Sequence, residues 1–428
     1  MKAIIRTAKN IALCLMAFTD LLTLLPIIGS IIAFFRKRIT AAFIVHPGTI
    51  NEVQKWWTFV GEVKPGTRKE RFWEWIFRHF WPVSGQRIII RNGKKNVIRV
   101  IYLSLTAKLM QQYPEKVEKQ SIKATKLAER LGATYIGLGG QVPGNCQYGF
   151  ALKPNLKRAR LTTGHAYSLS MVYAHLLLFS HAMGIDFSRV TIGIVGAGSM
   201  GRGIALLLTK NHKIMRLLVV DQGKNILRNL SEEICRTSGI LIETSTDLSA
   251  LIEADIIISV ASSTGPIIMP DHIKPQSSRK WPKLLIIEDG YPACTSNDVL
   301  EKCEDVVVVA GGGTKMSILR DIEAGFGLLP RGHTVSCFAE LVILILMGWS
   351  SDYTLGKVDI SLMDKIYSEG IEMGFYPSCL SNDRRLNKTC RQEVEPRRML
   401  IKLVNDHHKN DALAPASFFK KQIEPFEA

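Results

Sequence analysis

Gly196, Gly198 and Gly201 lie between a short apolar segment and an apolar helical segment in the sequence VTIGIVGAGSMGRGIALLL. In a strand–turn–helix unit, the first glycine permits a tight turn, the second lets a pyrophosphate approach the backbone, and the third lets the helix pack closely on the strand. The helix N-terminus then faces the phosphates, because its N–H groups attract anions. The sequence therefore predicts a dinucleotide-binding turn. Its residues are Gly196, Ala197, Gly198, Ser199, Met200 and Gly201.

Asp221 ends the next apolar segment, RLLVVD, twenty residues after Gly201. A carboxylate at this point accepts hydrogen bonds from the hydroxyls of the adenosine ribose and repels a 2′-phosphate. It therefore favours NADH over NADPH as the cofactor. Lys224, three residues further on, would weaken that preference by attracting the phosphate.

Cys337 lies near the start of an apolar segment, HTVSCFAELVILILMGW, that reads as a helix. His333 precedes it by four residues, which would place both side chains on one helical face. The imidazole could then deprotonate the thiol, and a helix N-terminus close by would lower the thiol pKa. Cys337 and His333 are therefore the catalytic candidates. The alternative is that Cys337 only packs, as a cysteine among apolar residues usually does.

The elements that must position these residues follow Thr163, where short apolar segments alternate with helical ones. Wholly apolar strands separated by helices are typical of a parallel sheet buried on both faces. The predicted fold class is α/β: a Rossmann-type doubly wound parallel sheet with an N-terminal α/β substrate domain and C-terminal helices. The predicted strands are VTIGIVG, RLLVVD, ADIIISVA, KLLIIEDG and DVVVVAGGG.

The loops after these strands should line the ligand, because a doubly wound sheet binds it beyond the carboxyl ends of the strands. We expect Val260, Ala261 and Ser262 to contact the ribose and nicotinamide. Gly311 and Gly312 would let the backbone pass close to the ligand. The alternative for these two glycines is a plain loop.

The segment LTTGHAYS directly precedes a helical stretch and contains Thr162, Thr163 and Gly164. Either threonine would be a good helix cap. The alternative is a hydrogen-bonding role near the cofactor or the substrate carbonyl, and on that basis the three residues are counted as cofactor-binding candidates.

Residues 10–35 are almost wholly apolar and have basic residues on both sides. Their length suits a membrane span, but the basic flanks give no orientation. Pro26 and Gly29 would permit a hairpin with both ends in the cytosol. The alternative is a core helix packed on the following domain. We expect a cytoplasmic protein attached peripherally or monotopically to the inner face of a membrane, through residues 10–35.

Five of the seven tryptophans lie between Trp56 and Trp81, around the basic and aromatic segment RKERFWEWIFRHFWP. One interpretation is an amphipathic helix with aromatic anchors in the core. The other is a membrane-interface or acyl-chain surface, since tryptophan prefers sites with one apolar and one wet side.

The formal net charge of +17 favours acidic partners. No nucleic-acid-binding signature accompanies the charge, so nucleic acid is not an expected partner. The eight cysteines include no C-x-x-C pair, which argues against a metal site and for a reduced, cytosolic chain. The predicted segments are 1–40 (apolar membrane-associating extension), 41–162 (N-terminal α/β substrate domain), 163–325 (Rossmann domain), 326–385 (C-terminal helical segment) and 386–428 (polar tail).

Several short motifs recur in a definite order between about Ala42 and Ser381: FIVHPGTINEV, LGG, LTTGHAY, the glycine-rich turn, EDGYP, AGGG, CFAE and GFYP. In this order and spacing they resemble the cyanobacterial long-chain acyl-[acyl-carrier-protein] reductases, which make fatty aldehydes. The chain is more distantly similar to glutamyl-tRNA reductase and to shikimate dehydrogenase-like Rossmann proteins.

The resemblance implies that Cys337 attacks a fatty acyl thioester and that a reduced nicotinamide then reduces the resulting acyl-enzyme to an aldehyde. It implies NADPH, in conflict with Asp221, and an acyl-carrier protein or acyl-CoA as partner. His165 stands where the family has asparagine. The substrate candidates taken from the matching motifs are Gly139, Gly140, His165, Tyr291 and Glu340.

Two other functions remain open from the sequence. The same scaffold would also suit an NAD(P)-dependent dehydrogenase of a small hydroxy or amino acid, with Cys337 only structural. A third reading is a non-enzymatic, nucleotide-sensing or membrane-tethered binding protein.

Overall fold

The computed structural model of the chain describes residues 2–23, 38–54, 57–279, 283–303, 305–316, 324, 326, 329–378 and 380. The chain forms two compact units, Met1–Gly164 with Leu344–Gly356, and His165–Ile343 with Lys357–Ala428. The hairpin expected at Pro26 and Gly29 and the tail predicted for 386–428 lie outside the described residues.

The first unit contains eleven labelled elements within its described part. They are α1 (Lys2–Thr23), β1 (Ala41–Val45), α2 (Ile50–Gln54), α3 (Arg68–His79), β2 (Val83–Asn92), β3 (Lys94–Tyr102), α4 (Ala107–Gln112), α5 (Pro114–Arg130), β4 (Tyr135–Leu138), α6 (Val142–Asn145) and β5 (Arg160–Thr162).

These strands form one sheet in the order β2-β3-β1-β4-β5. β1 is parallel to both β3 and β4, and β4 is parallel to β5. β2 and β3 form an antiparallel hairpin, in which Gly93 adopts a φ of 65° that glycine tolerates well. Buried side chains of β1, β3, α4 and α5 fill the core beside the sheet.

α1 packs on this α/β unit through one face. Ala17, Asp20 and Thr23 are buried, and the Asp20 carboxylate accepts hydrogen bonds from the backbone N–H and the hydroxyl of Ser84 (2.6 and 3.0 Å). Over residues 10–23 one face of α1 therefore packs on the domain that follows, as in the core-helix alternative. Within the described residues, no helix is both long enough and apolar enough to cross a bilayer.

The second unit contains the remaining elements, and α11 continues from it into the first unit. They are α7 (His165–Ala182), β6 (Thr191–Val195), α8 (Ser199–Asn211), β7 (Arg216–Val220), α9 (Lys224–Ser238), β8 (Glu243–Ser245), β9 (Ile256–Ser259), β10 (Leu284–Glu288), α10 (Asn297–Lys302), β11 (Val306–Ala310), β12 (Gly313–Met316), β13 (His333–Val335), α11 (Ser336–Met347), α12 (Ile360–Glu372) and β14 (Phe375–Pro377).

Six of these strands form a wholly parallel sheet in the order β8-β7-β6-β9-β10-β11. In order of appearance this is 3-2-1-4-5-6, the strand order of a Rossmann fold. The predicted fold class is confirmed. The five predicted strands are present. The short strand β8 was not predicted, because its sequence, Glu-Thr-Ser, is polar.

A small antiparallel sheet, in the order β13-β12-β14, was not predicted. Its strands β12 and β13 lie in the C-terminal region that was expected to be mostly helical, and β14 directly follows Gly374. Each of its strands has only three or four residues, too short for a period-two pattern to be recognised. The helical character expected in this region is present in α11 and α12.

Candidate active site

The carboxyl ends of the central strands are level with one another. Val195 pairs with both Val220 and Ser259, and Glu288 pairs with both Ser259 and Ala310. The residues that directly follow this row therefore lie along one margin of the sheet. We call this margin the carboxyl edge, and it consists of Gly196, Asp221, Val260, Asp289 and Gly311.

The glycine-rich turn depends on the absence of side chains at two positions. Gly196 has a φ of 98°, and a Cβ there would lie 3.0 Å from the Ala261 nitrogen. At Gly201 a Cβ would lie 1.8 Å from the Gly196 carbonyl oxygen, so even alanine cannot be accommodated without a shift of the backbone. The exposed Gly198 then caps α8, whose N-terminus opens at the carboxyl edge.

Asp221 is placed as predicted, directly after β7, and it holds the glycine-rich turn. One carboxylate oxygen accepts the Ala197 N–H and the other accepts the Gly223 N–H, each at 2.8 Å. Each oxygen retains a second acceptor site, so bonds from ribose hydroxyls remain compatible with this arrangement. Ser199 has a structural partner as well, since its hydroxyl oxygen accepts the Val358 N–H at 3.0 Å.

Glu288, which the sequence argument did not select, organises the loop after β10. Its buried carboxylate accepts the N–H groups of Gly290, Cys294 and Thr295 at 3.0, 3.2 and 2.7 Å. The Thr295 hydroxyl donates a fourth bond at 2.6 Å. An acidic residue at the end of an otherwise apolar strand was the signal for this role.

Asp289 is the second residue that the sequence argument missed. Its N–H donates to the Ser259 carbonyl at 2.8 Å, and its carboxylate packs so tightly under Gly312 that a Cβ on that glycine would lie 1.7 Å from Oδ1. Burial, and then the charge of Glu288, raise the pKa of Asp289 to about 8. A protonated carboxylic acid is therefore available at the carboxyl edge at neutral pH.

Cys337 is half-buried in the first turn of α11, which begins at Ser336. Ser336 is bound to the Gly312 carbonyl by its N–H (2.9 Å) and by its hydroxyl (2.8 Å). Because Gly312 packs on Asp289, this places the start of α11 beside the carboxyl edge. The expected helix N-terminus is therefore present at the thiol.

His333 does not lie on the same helix as Cys337, so the argument from a shared helical face is wrong. His333 belongs to β13 and pairs with Lys315 of β12. The chain is extended over His333–Val335 because these residues complete a sheet, and the helix begins only afterwards. Burial lowers the pKa of His333.

Glu340 binds the first turn of α7, in which His165 is the first residue. The fully buried Glu340 accepts the Tyr167 N–H at 2.7 Å, where a carboxylate interacts favourably with the positive end of the helix. Burial lowers the pKa of His165, two residues earlier, to about 4, so this imidazole is neutral at pH 7. Glu340, a substrate candidate, thus joins α11 to α7 within the second unit.

The other candidates at the carboxyl edge differ in exposure. Ser262 is exposed, whereas Val260, Ala261 and Tyr291 are half-buried. Gly311 donates its N–H to the Glu288 carbonyl at 2.6 Å, and a Cβ there would lie 2.6 Å from an Ile287 methyl group. Packing within the sheet is therefore sufficient to explain this glycine.

Thr162, Thr163 and Gly164 lie in the first unit, at the end of β5. The Thr163 hydroxyl donates to the Thr354 carbonyl at 2.7 Å, and the Thr162 and Thr354 hydroxyls are 3.2 Å apart. The Thr162 hydroxyl also accepts the Gly164 N–H at 3.3 Å. These contacts hold the segment around Thr354 against β5.

Gly139 and Gly140 also lie in the first unit, after β4. A Cβ on Gly139 would lie 2.5 Å from the Phe43 ring, and Gly140 has a φ of 58°. The next residue, Gln141, donates its N–H to Nε2 of the buried His46 at 3.0 Å, and His46 Nδ1 lies 3.0 Å from the Pro47 carbonyl. The neutral imidazole therefore joins the ends of β1 and β4, a role that the sequence argument missed.

The first unit also contains an apolar cavity of about 340 Å³. This volume lies at the lower end of the range for small-molecule sites. The lining residues are Met16, Pro47, Val53, Trp57, Phe77, Phe80, Val83, Ser84, Gly85, Gln86, Tyr102, Leu103 and Ser104.

Sequence comparison agrees with the resemblance seen in the motifs. Residues 178–309 match the family described as shikimate / quinate 5-dehydrogenase. The long-chain acyl-[acyl-carrier-protein] reductase of Synechococcus elongatus is 27% identical over 233 residues, which span 53% of this chain and 64% of that protein.

Two of the solved structures that resemble this chain are dehydrogenases. L-Tryptophan dehydrogenase from Nostoc punctiforme is 11% identical over 87% of this chain and 90% of its own, with a TM-score of 0.34. A shikimate dehydrogenase in complex with NADP+ is 13% identical over 77% of this chain and 94% of its own, with a TM-score of 0.35. The chain is thus similar to long-chain acyl-[acyl-carrier-protein] reductase over about half its length, and its residues 178–309 match the shikimate / quinate 5-dehydrogenase family.

Proposed function

We propose that this chain reduces a long-chain fatty acyl thioester to a fatty aldehyde with NADH or NADPH, through an acyl-enzyme on Cys337. The acyl donor is an acyl-carrier protein or acyl-CoA. The observation that carries the proposal is the position of Cys337, in the first turn of a helix whose first residue is bonded to Gly312 at the carboxyl edge. The similarity to an acyl-[acyl-carrier-protein] reductase supports it.

The glycine-rich turn fits a dinucleotide. Gly196 and Gly201 let the backbone of the turn pack more closely than any Cβ would allow, and the N-terminus of α8 provides N–H groups for phosphates. Asp221 is positioned for the adenosine ribose, and the exposed Lys224 begins α9 three residues later. A bound reduced nicotinamide would supply the hydride for the reaction.

In the first step the Cys337 sulfur attacks the thioester carbonyl carbon. A new sulfur–carbon bond forms, the bond to the carrier sulfur breaks, and the carrier leaves as a thiol with the proton that Cys337 gives up. The N-terminus of α11 stabilises the thiolate form of Cys337. The product is an acyl thioester on Cys337, which retains a reducible carbonyl group.

In the second step hydride is delivered to the acyl carbon, and the carbon–sulfur bond breaks to release the aldehyde. The Cys337 sulfur leaves with the bonding electrons and takes up one proton. Asp289 is our candidate for the proton source, because its raised pKa of about 8 keeps it protonated at neutral pH and it packs on Gly312. Because α11 is anchored to the same glycine, the acid and the thiol share one neighbour.

Hexadecanoyl-CoA and hexadecanoyl-acyl-carrier protein, each with NADH or NADPH, provide the test. We expect aldehyde by mass spectrometry with the wild type and at least about a thousandfold less with Cys337→Ala, because nucleophile removal costs several orders of magnitude. The exposed Cys235 gives the matched control, and Cys235→Ala should retain the wild-type rate.

Intact-protein mass spectrometry without nucleotide should show an acyl adduct on the wild type and none on Cys337→Ala. If the wild type makes no aldehyde with any of the four combinations, the proposal is wrong. If Cys337→Ala reacts as fast as the wild type, the role given to Cys337 is wrong.

A second candidate is a dehydrogenase of a small hydroxy acid, and the match of residues 178–309 to shikimate / quinate 5-dehydrogenase favours it. Cys337 would then be a packing residue. Reduction of NAD+ or NADP+ by hydroxy acids such as shikimate, at equal rates with the wild type and Cys337→Ala, would support this candidate instead.

A further inference from the structure

α1 exposes an apolar stripe on the side that faces away from its packing surface. Ile11, Leu15 and Phe18 are 56%, 61% and 54% exposed, at a spacing that places them on one helical face. The opposite face carries the buried Ala17 and Asp20. A single exposed apolar residue is ordinary, but three in a row on one helix indicate a binding surface.

α3 exposes a second set of large side chains, in which aromatic and basic residues alternate. Phe72 and Trp75 are 54% and 58% exposed, and the nearby Phe59 is 48% exposed. Arg68 and Arg71 are exposed on the same helix. The other side of α3 is anchored by Phe77, which is buried in the core.

The two sets of exposed side chains belong to one surface. Asn10, next to Ile11, exchanges hydrogen bonds with Thr58 (2.9 and 3.1 Å), and Thr58 adjoins Phe59. The Phe59 ring lies 5.7 Å from Trp73, which contacts the Phe72 ring at 5.4 Å. The α1/α3 face, as we name it, consists of Ile11, Leu15, Phe18, Phe59, Phe72 and Trp75, with Arg68 and Arg71.

The acidic residues of α3 and its arginines Arg68 and Arg71 differ in exposure and in their partners. Its acidic residues Glu70 and Glu74 are largely covered and bind Lys108 at 3.3 and 2.7 Å. Arg68 and Arg71 form no ion pair with any residue that the structure describes, so their charges face solvent. Exposed aromatic side chains next to unpaired arginines suit a binding partner that has an anionic surface over an apolar interior.

We infer that the α1/α3 face binds the surface of an anionic lipid bilayer. Tryptophan and phenylalanine would enter the headgroup region, while Arg68 and Arg71 contact lipid phosphates, as in helices that lie in the plane of a membrane. The sequence that follows α1 supports this partner, since residues 24–35 contain no charged residue. The inference does not rest on the proposed reaction, because binding to lipid requires neither thioester nor nucleotide.

Co-sedimentation of the full chain with vesicles tests the inference. One set of vesicles contains phosphatidylcholine alone, and the other contains phosphatidylcholine with phosphatidylglycerol. We expect the wild type to bind the anionic vesicles, and to bind them more weakly as salt is raised. Phe72→Ser with Trp75→Ser, and separately Arg68→Glu with Arg71→Glu, should each weaken binding at least about tenfold.

Matched controls come from exposed positions elsewhere. Leu241→Ser removes an apolar side chain that is 81% exposed in the second unit, and Lys123→Glu with Lys126→Glu makes the same charge change on α5. Both controls should bind almost as well as the wild type. Aldehyde formation from soluble acyl-CoA is measured on every variant, so failure of binding and failure of the proposed reaction are distinguished.

Two results would overturn the inference. One is absence of binding to the anionic vesicles by the wild type, or equal losses in the face variants and their controls. The other is self-association of the wild type that the face variants abolish while vesicles recruit no protein, which would make the face an interface between two copies of the chain.

Discussion

The carboxyl edge of the six-stranded sheet and the α1/α3 face use side chains in opposite ways. At the carboxyl edge, buried carboxylates such as Glu288 and half-buried ones such as Asp221 bind backbone N–H groups of neighbouring turns. On the α1/α3 face, large side chains such as Trp75, which is 58% exposed, face the solvent. The first region thus depends on backbone shape, and the second on the chemistry of its surface.

This difference has a consequence for substitutions. At the carboxyl edge even one added methyl group should alter the fold of the turn, together with any binding that depends on it. On the α1/α3 face, loss of a whole aromatic ring should change binding and leave stability almost unaltered, because exposed substitutions usually shift stability by less than about 0.5 kcal/mol.

Gly201→Ala should give the largest effect. The new Cβ would lie 1.8 Å from the Gly196 carbonyl oxygen, so β6 and α8 must separate. We expect a loss of stability of about 3 kcal/mol or more and no detectable binding of NADH or NADPH. Thermal unfolding and nucleotide fluorescence measure the two quantities.

Gly265→Ala is the matched control, because a Cβ at that loop position meets no atom within 4 Å. It should behave as the wild type in both measurements. If Gly201→Ala retained full stability and nucleotide binding, the carboxyl edge would not depend on the shape of its backbone. The difference drawn between it and the α1/α3 face would then be wrong.

Glu288→Gln, compared with Glu129→Gln, separates folding from cofactor binding. Both carboxylates are buried and hold loops: Glu288 binds the loop after β10, and Glu129 accepts the N–H groups of Lys157, Arg158 and Ala159 in the first unit. We expect each variant to lose about 2–3 kcal/mol, since glutamine keeps only one acceptor oxygen. Urea unfolding measures this loss.

Only Glu288→Gln should also weaken nucleotide binding, because its loop adjoins the carboxyl edge. The affinity for NADH and NADPH is measured at a temperature where both variants remain folded. An equal loss of affinity in Glu129→Gln would show that the effect is one of general stability and not of the edge.

The backbone-dependent parts of the molecule were the predictable ones. Gly196, Gly201 and Asp221 could be located because their spacing follows from the geometry of a strand, a turn and a helix, and the structure places them as expected. The strand–helix boundary before Cys337 was not predictable. His333–Val335 forms a strand because it pairs with β12, in which Lys315 lies opposite His333. That pairing is a tertiary contact and leaves no local pattern in the sequence.

The α1/α3 face could be predicted only in part. The sequence shows an amphipathic helix rich in tryptophan, and it leaves open whether the rings face the core or the surface. The structure divides them: Phe77 is buried, and Phe72 and Trp75 are exposed. This division depends on where the core of the first unit lies, which is a property of tertiary packing and not of the helix itself.

His46 brings pH dependence into the first unit. Burial lowers its pKa to about 4, from 6.5 in the unfolded chain, so below pH 6.5 the unfolded state binds a proton that the folded state excludes. Stability should therefore fall as the pH is lowered from about 6.5 to 4, by at most about 3 kcal/mol. His46→Gln should be less stable at pH 7, and its stability should lack this contribution to the dependence on pH.

Urea unfolding between pH 4 and 7.5 tests this, with His181→Gln, an exposed position, as the control. The difference in stability between the wild type and His46→Gln should shrink towards acid pH, whereas the difference from His181→Gln stays constant. A constant difference for both variants would mean that His46 is not the neutral link between β1 and β4.

Asp289 should produce the opposite pH dependence at the carboxyl edge, and the smallest effect. Its pKa is about 8 in the folded chain and 3.8 in the unfolded one, so between these values the folded state binds a proton that the unfolded state has lost. Stability contributed by this group is present below about pH 4 and is lost as the pH rises towards 8. Asp289→Asn, which cannot ionise, should gain stability over the wild type across that window.

We expect the gain to be on the order of 1 kcal/mol, because the Asp289 side chain is only partly buried and the water that reaches it screens part of its charge. The exposed Asp271 gives the control, and Asp271→Asn should show no trend with pH. The rate of aldehyde release by the wild type should also fall as the pH rises towards 8. That fall, together with a slow Asp289→Asn at neutral pH, would connect the protonated carboxyl to the reaction. If Asp289→Asn released aldehyde at the wild-type rate over the whole pH range, Asp289 would shape the carboxyl edge without donating the proton. The buried carboxylates of the carboxyl edge would then have a structural role only, in contrast to the binding role inferred for the α1/α3 face.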